Sequence, residues 1–70
     1  MDTNFEVIGI LQIGIGGKWA ERPITAQTYA VDRDHAKESV LQLYAQATER
    51  EHPGAIVRWN MPTLVRVFSI

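Results

Sequence analysis

The stretch of this chain that most invites a chemical role is rich in glycine and carries a lysine: IGIGGKW, which ends at Trp19. A phosphate-binding P-loop needs a glycine five residues before its Gly-Lys pair and a hydroxyl residue after it. Here Gly17 and Lys18 are preceded at that position by Gln12 and followed by Trp19. A dinucleotide fingerprint also fails, because Trp19 stands where its third glycine belongs. The sequence therefore predicts that Gly16 and Gly17 turn a hairpin with positive φ angles and that Trp19 folds back onto the sheet.

The histidines and serines do not form a recognisable reaction centre. His35 and Glu38 have the i, i+3 spacing of helical metal ligands, but a metal site needs further donors on another element. Neither Ser39 nor Ser69 has an evident base and orienting acid beside it. The chain has no cysteine, and a domain this small has little room for a cleft that buries a substrate. We therefore predict a protein that is not an enzyme and that uses no cofactor or metal.

A group of basic and aromatic residues is the candidate partner-binding site. If the last hairpin turns at Pro62, Arg58 and Arg66 face each other on neighbouring strands. Like charges in that position destabilise a sheet unless an opposite charge offsets them. Either Glu6 or an acid of the helix pairs with them, or they contact an anion. Guanidinium and indole surfaces suit a protein hot spot or a stacked base. The residues of this predicted patch are Lys18, Trp19, Arg22, Arg58, Trp59 and Arg66.

The elements that must position these residues follow from the pattern of apolar residues. FEVIGILQIGI (5–15) and ITAQTYAV (24–31) are rich in β-branched residues and predict strands joined by a moderately long connection. AIVRWN (55–60) and TLVRVFSI (63–70) predict two more strands, which form a second hairpin. One helix lies between the two pairs. The predicted fold class is therefore α+β: a small antiparallel sheet with one helix packed across one face, in the order ββαββ.

The helix has clear boundary signals. Asp32 is the predicted N-cap, and EREHPG with Pro53 and Gly54 ends the helix. Apolar residues recur at helical spacing and predict the buried stripe, which consists of Ala36, Val40, Leu43, Tyr44 and Ala47. Since one helix covers one face of the sheet and the strands are apolar on both, a homodimer or a partner surface is favoured over a bare monomer.

Length and charge limit the classes of function. Seventy residues with 46% hydrophobic content fit one domain, residues 1–70, without a second. The net charge of -1 gives no overall attraction to nucleic acid or membrane. The N-terminal segment has no basic region before its short apolar stretch, so neither a signal peptide nor a membrane anchor is predicted. A cytoplasmic protein is the expectation.

The segment ITAQTYAVDRDHAKESVLQLYAQ followed by GAIVRW runs from a strand through a short cap into a helix and then into another strand. In this order and in its length the chain resembles small phage-encoded inhibitors of the anti-CRISPR type. The likeness covers about half of the chain and involves no shared functional residues. It implies a protein without catalysis that blocks a surface of a host defence complex.

Three functions remain open at this point. The first is a non-enzymatic protein-interaction module that binds a protein partner or complex, and such an inhibitor is one form of it. The alternative is a small nucleic-acid-binding domain that uses the arginine and aromatic patch, although an acidic helix and few clustered bases count against it. The third is a subunit that completes a larger assembly, which the apolar segment VRVFSI favours.

Overall fold

A computed structural model describes residues 2–68, with the backbone alone for Met61. The described chain forms three strands and one helix: β1 (Thr3–Ile15), β2 (Lys18–Ala30), α1 (Arg33–Glu51) and β3 (Ile56–Val67). All strand pairs are antiparallel, and β1 lies in the middle of the order β2-β1-β3. The helix packs across one face of this sheet. The predicted α+β class, with one helix on an antiparallel sheet, is confirmed.

The first two strands are joined by a tighter turn than the sequence analysis predicted. Gly16 and Gly17 have φ angles of 57° and 81°, and Ile15 pairs directly with Lys18. A two-residue turn of this kind matches the twist of the strands it joins. The predicted glycine turn is confirmed, but the long connection is wrong, because β2 begins at Lys18 and continues through Pro23. Proline is tolerated there because β2 is an edge strand.

The boundaries of α1 agree with the predicted signals. Asp32 is the N-cap, and its carboxylate accepts a hydrogen bond of 2.8 Å from the backbone N–H of His35. The helix ends at Glu51, and the backbone N–H of His52 donates to the carbonyl of Thr48 at 2.8 Å. Gly54 then takes a φ of 87°, a conformation that favours glycine. The predicted start and end of the helix are confirmed.

The buried stripe of α1 differs in part from the prediction. Ala36 and Val40 are buried, and Tyr44 packs against the core together with Leu41. Leu43 is 66% exposed. Each residue advances about 100° around a helix, so Leu43 lies about 85° from the mean direction of Ala36, Val40, Leu41 and Tyr44, at one edge of the stripe. The prediction for Leu43 was wrong for this reason, and Ala47, which is also exposed, was likewise misplaced.

The core lies between α1 and the face of the sheet that it covers, which we call the inner face. Val7 and Leu11 of β1 are fully buried there, and strand β2 and the helix complete the cluster. Alternate residues of a strand share one face, so Phe5, Val7 and Leu11 of β1 all point toward the helix. The buried hydrophobic residues are Phe5, Val7, Leu11, Ile24, Ala30, Ala36 and Val40.

The C-terminal β segments form one strand and not a hairpin. Both halves of β3 pair with β1, since Asn60 lies opposite Ile10 and Leu64 opposite Ile8. The ββαββ order of β segments is thus present, with its last two segments as the two halves of one strand. Between the halves, residues 61–63 lie opposite the single Gly9, which is a bulge. The predicted second hairpin is wrong, because the turn signal at Pro62 marks this bulge. Residues 69 and 70 of the predicted last strand lie outside the described residues.

The bulge leaves the facing of side chains unchanged. Four steps along β3, from Asn60 to Leu64, span two steps along β1, so β3 holds two extra residues. Because side chains alternate between faces with a period of two, an even number of extra residues keeps both halves in phase. Asn60 and Leu64 therefore project to the same face, opposite Ile10 and Ile8.

Candidate functional site

The face of the sheet that points away from α1, which we call the outer face, is left uncovered by the helix. Paired residues of neighbouring strands project to the same side, so the register arranges this face in rows across the three strands. The rows at its centre are apolar, and those toward its ends are polar. From one end to the other, the rows are Trp19–Gly14–Ile56, Glu21–Gln12–Arg58, Pro23–Ile10–Asn60, Thr25–Ile8–Leu64 and Gln27–Glu6–Arg66.

An open apolar groove crosses the centre of the outer face. Its volume is about 690 Å³, and its apolar lining includes Ile8, Ile10, Pro23, Pro62 and Leu64. Ile10 is 39% exposed and Leu64 is 53% exposed. Contiguous exposed apolar surface rimmed by polar residues marks an interaction site more often than scattered single residues do. The sequence analysis predicted that the strands are apolar on both faces, and the outward-facing Ile8 and Ile10 confirm this for β1.

One end of the groove is bordered by a stacked arginine and tryptophan. The Trp19 ring covers Gly14, so closely that a Cβ on this glycine would lie 2.9 Å from the ring. The Arg58 guanidinium lies 4.4 Å from the centre of the Trp19 ring, and its Nε donates to Gln12 Oε1 at 2.9 Å. A cation over an indole face is attracted by the ring quadrupole. The predicted folding of Trp19 onto the sheet is confirmed.

An acid occupies the other edge of the same row. Glu21 pairs with Gln12 across β2 and β1, as Arg58 does across β1 and β3. The Glu21 carboxylate accepts a hydrogen bond from the amide of Asn60. Among the residues that the structure describes, neither Glu21 nor Arg58 is in a salt bridge. The row therefore presents an acid and a base at opposite edges, each bound to a neutral amide.

The opposite end of the groove holds an internal ion pair. Glu6 Oε1 accepts hydrogen bonds from Arg66, at 2.7 Å from Nε and 2.6 Å from Nη2. The Glu6 side chain is 13% exposed, and pairing offsets the cost of burying its charge. The expectation that Glu6 neutralises one of the arginines is confirmed for Arg66. The expectation that Arg58 faces Arg66 is wrong, because their β1 partners are six residues apart, or about 20 Å along a strand.

Three of the predicted patch residues lie on the other side of the sheet. Trp59 packs against the core, and its Nε1 donates to the Lys37 carbonyl at 3.3 Å. The Arg22 guanidinium lies 5.7 Å from the centre of the Tyr44 ring of the helix. Lys18 precedes Trp19 in β2 and so faces away from it.

The prediction of one joint patch is therefore wrong. The outer face brings together Trp19 and Arg58 and carries Arg66 at its far end, whereas the inner side holds the remaining three residues. The cause is the tight glycine turn, which extends β2 back to Lys18, so that successive residues alternate between the faces. Glu21 was missed for the same reason: the hairpin register places it, and Gly-Gly between two apolar runs was the available signal. Asn60 was missed because its position depends on the pairing of β3 with β1.

The histidine at the start of α1 belongs to the helix cap and is not part of the outer face. Its Nδ1 lies 2.9 Å from Asp32 Oδ1. The hydrogen bond and the charge of Asp32 raise the pKa of His35 above its ordinary value. Backbone and side-chain hydrogen bonds from His35 lower the pKa of Asp32. Within residues 2–68, no three histidine or acidic side chains come together in a way that could hold a metal ion.

No protein-family model, curated protein or solved structure matches this chain. In the part of the chain that the structure describes, no helix has the length and apolar character needed to cross a membrane.

Proposed function

We propose that this chain is a non-enzymatic protein-interaction module that binds a protein partner through the outer face of its sheet. The observation that carries the proposal is the open apolar groove, in which Ile10 and Leu64 remain exposed. An antiparallel sheet can leave one face in water, but such a face is then usually polar at its centre. Here the centre is apolar and the ends are polar, which is the arrangement of a protein interface with a polar rim.

The border of the groove supports the same proposal. Trp and Arg are the residue types that most often dominate the binding energy of protein interfaces. Trp19 is 50% exposed on the outer face, and Arg58 lies against it. Because Gln12 holds the guanidinium at Nε, its other N–H groups remain available as donors. Trp19 and Arg58 therefore remain the predicted hot spot of this module.

In a cell, a module of this kind acts by occupying the surface of a larger complex. The resemblance to phage-encoded inhibitors fits this role, since a small rigid face can block a surface without any chemical reaction. We place the module in the cytoplasm. Its size and its single uncovered face suit steric inhibition better than substrate turnover.

A photo-crosslinking experiment tests the proposal directly. A benzoylphenylalanine placed at Thr25, an exposed position of the outer face, reacts with whatever polypeptide lies against that face. The matched control carries the same probe at Leu43, which is 66% exposed on the helix. In cells that produce the chain, we expect a discrete protein adduct at Thr25 that is absent at Leu43. The lack of any protein adduct at Thr25, or equal adducts at both positions, would overturn the proposal.

Nucleic-acid binding is the second candidate, because the exposed Trp19 and Arg58 stack could hold an unstacked base. Fewer groups support it than the sequence indicated: Arg66 is neutralised by Glu6, and Trp59 packs against the core. Binding of single-stranded DNA or RNA by electrostatic contacts must weaken steeply with added salt. This candidate predicts that binding weakens steeply with added salt and that binding is lost in Arg58→Ala.

A further inference from the structure

The two edge strands of the sheet disfavour binding of a partner by strand addition. A free edge strand can pair with a further strand, but a proline in it cannot donate the hydrogen bond that such pairing needs. Pro23 lies in edge strand β2 and Pro62 in edge strand β3. Both residues line the groove. A partner is therefore expected on the outer face and not in line with the sheet.

The charges on the outer face are arranged so that the face complements itself. Glu21 is on β2 and Arg58 is on β3, in the same row on either side of β1. Both side chains reach inward over β1, since Glu21 binds Asn60 of β3 and the Arg58 guanidinium lies over Trp19 of β2, yet they form no ion pair with each other among the described residues. A two-fold axis parallel to β1 exchanges the β2 and β3 sides. It places Glu21 of each copy opposite the partner's Arg58.

The same operation matches the remaining rows. Ile10 lies on the central strand and meets the partner's Ile10 close to the axis, while Leu64 lies opposite the partner's Thr25. At one end, Trp19 lies opposite the partner's Ile56. A two-fold axis across the strands would instead bring Arg58 opposite the partner's Arg66, which Glu6 already neutralises, and Glu21 opposite the partner's Gln27, so neither charge would gain an opposite charge. Charge therefore selects one of the two orientations.

The available area is sufficient for a specific complex. Three strands of about 12 residues, about 4.8 Å apart, present a face of roughly 600 Å². Two stacked copies then bury roughly 1,200 Å² in total, which is the lower end of the range for specific protein interfaces. Stacked sheets pack about 10 Å apart with strands within about 30° of each other, a distance that long Glu and Arg side chains can bridge.

We propose that the partner on the outer face is a second copy of this chain, docked face to face about a two-fold axis parallel to β1, with Glu21 of each copy paired to the partner's Arg58. This inference rests on the proposed function, because it names the occupant of the same face. It adds the orientation of the two copies and the two ion pairs that fix it. The interface is isologous, so each contact occurs twice.

Charge reversal provides a test that separates contacts between chains from contacts within one chain. Sedimentation across a dilution series is expected to give a dimer for the unaltered chain. Glu21→Arg or Arg58→Glu alone places like charges opposite each other twice, and we expect the dimer Kd to rise at least about tenfold in each case. Leu43→Lys, an exposed apolar position on the helix, serves as the control and should leave the Kd unchanged.

Mixing the two reversed variants is the decisive step. In a dimer of one Glu21→Arg copy and one Arg58→Glu copy, both inter-chain pairs regain opposite charges. We expect a heterodimer with a Kd within about threefold of the unaltered dimer, since each pair is again an acid opposite a base. Loss of the intra-chain contacts with Gln12 and Asn60 cannot be repaired by mixing. A monomer at all concentrations, or a mixture no tighter than the separate variants, would overturn the inference.

The crosslinking experiment distinguishes this failure from failure of the proposed function. An adduct at Thr25 with the mass of two copies agrees with both proposals. An adduct of Thr25 with a different protein, together with a monomer by sedimentation, leaves the interaction module standing and overturns the second copy as its occupant.

Discussion

The two tryptophans show how differently the two faces of this sheet are built. Each ring covers a glycine of β1: Trp59 lies over Gly9 on the inner face, and Trp19 lies over Gly14 on the outer face. Trp59 is held by the core and by its hydrogen bond to the Lys37 carbonyl. Trp19 has the Arg58 guanidinium against its ring and is 50% exposed, and Arg58 is itself exposed. A tryptophan ring packed on a glycine of β1 therefore forms part of the core on the inner face, whereas the same arrangement leaves the ring half exposed on the outer face.

This contrast explains why the outer face, and not the core, is the candidate site. The apolar core residues of the inner face pack against one another within the chain, and changing them alters folding. Among the residues that the structure describes, the outer face holds one internal ion pair, between Glu6 and Arg66, at one of its ends. Its apolar centre remains open. Stability and binding are thus expected to respond to different substitutions.

The largest expected effect is on the inner face. Val40 is 2% exposed, and Val40→Asp would bury a carboxylate with no partner, which we expect to cost more than about 3 kcal/mol. The domain should then lose its cooperative thermal transition by circular dichroism. Leu43→Asp, three residues further along the same helix, should keep a transition near that of the unaltered chain. Cooperative melting of Val40→Asp near the original midpoint would contradict the assignment of the core.

A matched pair of glycine substitutions separates the faces more finely. A Cβ at Gly9 would lie 2.9 Å from the Trp59 ring and 3.1 Å from Thr63, and at Gly14 it would lie 2.9 Å from the Trp19 ring. Trp59 cannot move without disturbing the core, so Gly9→Ala should cost about 1–3 kcal/mol. Trp19 can swing into solvent, so Gly14→Ala should cost less than about 1 kcal/mol.

Denaturant titration measures both costs, and tryptophan fluorescence in a Trp59→Phe background reports where Trp19 goes. Gly14→Ala should shift the Trp19 emission toward that of a fully solvated ring. Equal costs for the two glycine substitutions would mean that Trp19 is as firmly held as Trp59, and the contrast between the faces would be lost.

The ion pair on the outer face should give a smaller effect. Arg66→Gln leaves the largely covered Glu6 carboxylate without its cation, but the arginine is 61% exposed. Solvent screening limits such a pair to about 1 kcal/mol. The double change Glu6→Gln with Arg66→Gln should recover part of this loss, because it removes the unpaired charge. Denaturant titration at concentrations too low for association checks both variants, and a double variant less stable than Arg66→Gln would contradict the pairing.

The smallest expected effect is a pH dependence at the helix start. Since the pKa of His35 is raised, its charged form stabilises the fold below its ordinary value of 6.5, and this contribution is lost as pH rises through the folded-state pKa. Since the pKa of Asp32 is lowered, its contribution is present above 3.8 and is lost as pH falls through the folded-state pKa. The pair therefore stabilises the helix start most between these two values.

Nuclear magnetic resonance of the His35 ring measures this directly. In Asp32→Asn, which keeps a capping side chain but removes the charge, the pKa of His35 should fall toward its ordinary value. An unchanged His35 titration in that variant would show that Asp32 is not the cause of the shift.

Much of the fold could be predicted from the sequence because its signals are local. The N-cap at Asp32, the breaker around Gly54 and the alternation in β1 each depend on neighbouring residues. The candidate site could not be predicted from the sequence, since it depends on the register between strands. The outer face became visible only when β2 was placed from Lys18 onward, which separates Trp19 from Lys18 and brings Glu21 beside Gln12.

The error at Pro62 has the same origin. Proline next to a short polar segment indicates a turn when only neighbours are considered. The chain does not turn there, because both halves of β3 pair with the single strand β1, whose 13 residues are enough to accommodate both. The resulting separation of Arg58 and Arg66 removed one predicted site and revealed another.

The bulge at residues 61–63 also has a consequence for how this sequence can change over time. Removing one residue there would exchange the faces of the C-terminal half of β3, so that Val65 would point to water and Arg66 toward the helix. Removing two would leave every facing intact and straighten the strand. Length changes that survive selection at this point are therefore expected to come in pairs of residues, and single-residue insertions or deletions should be absent among working descendants of the chain.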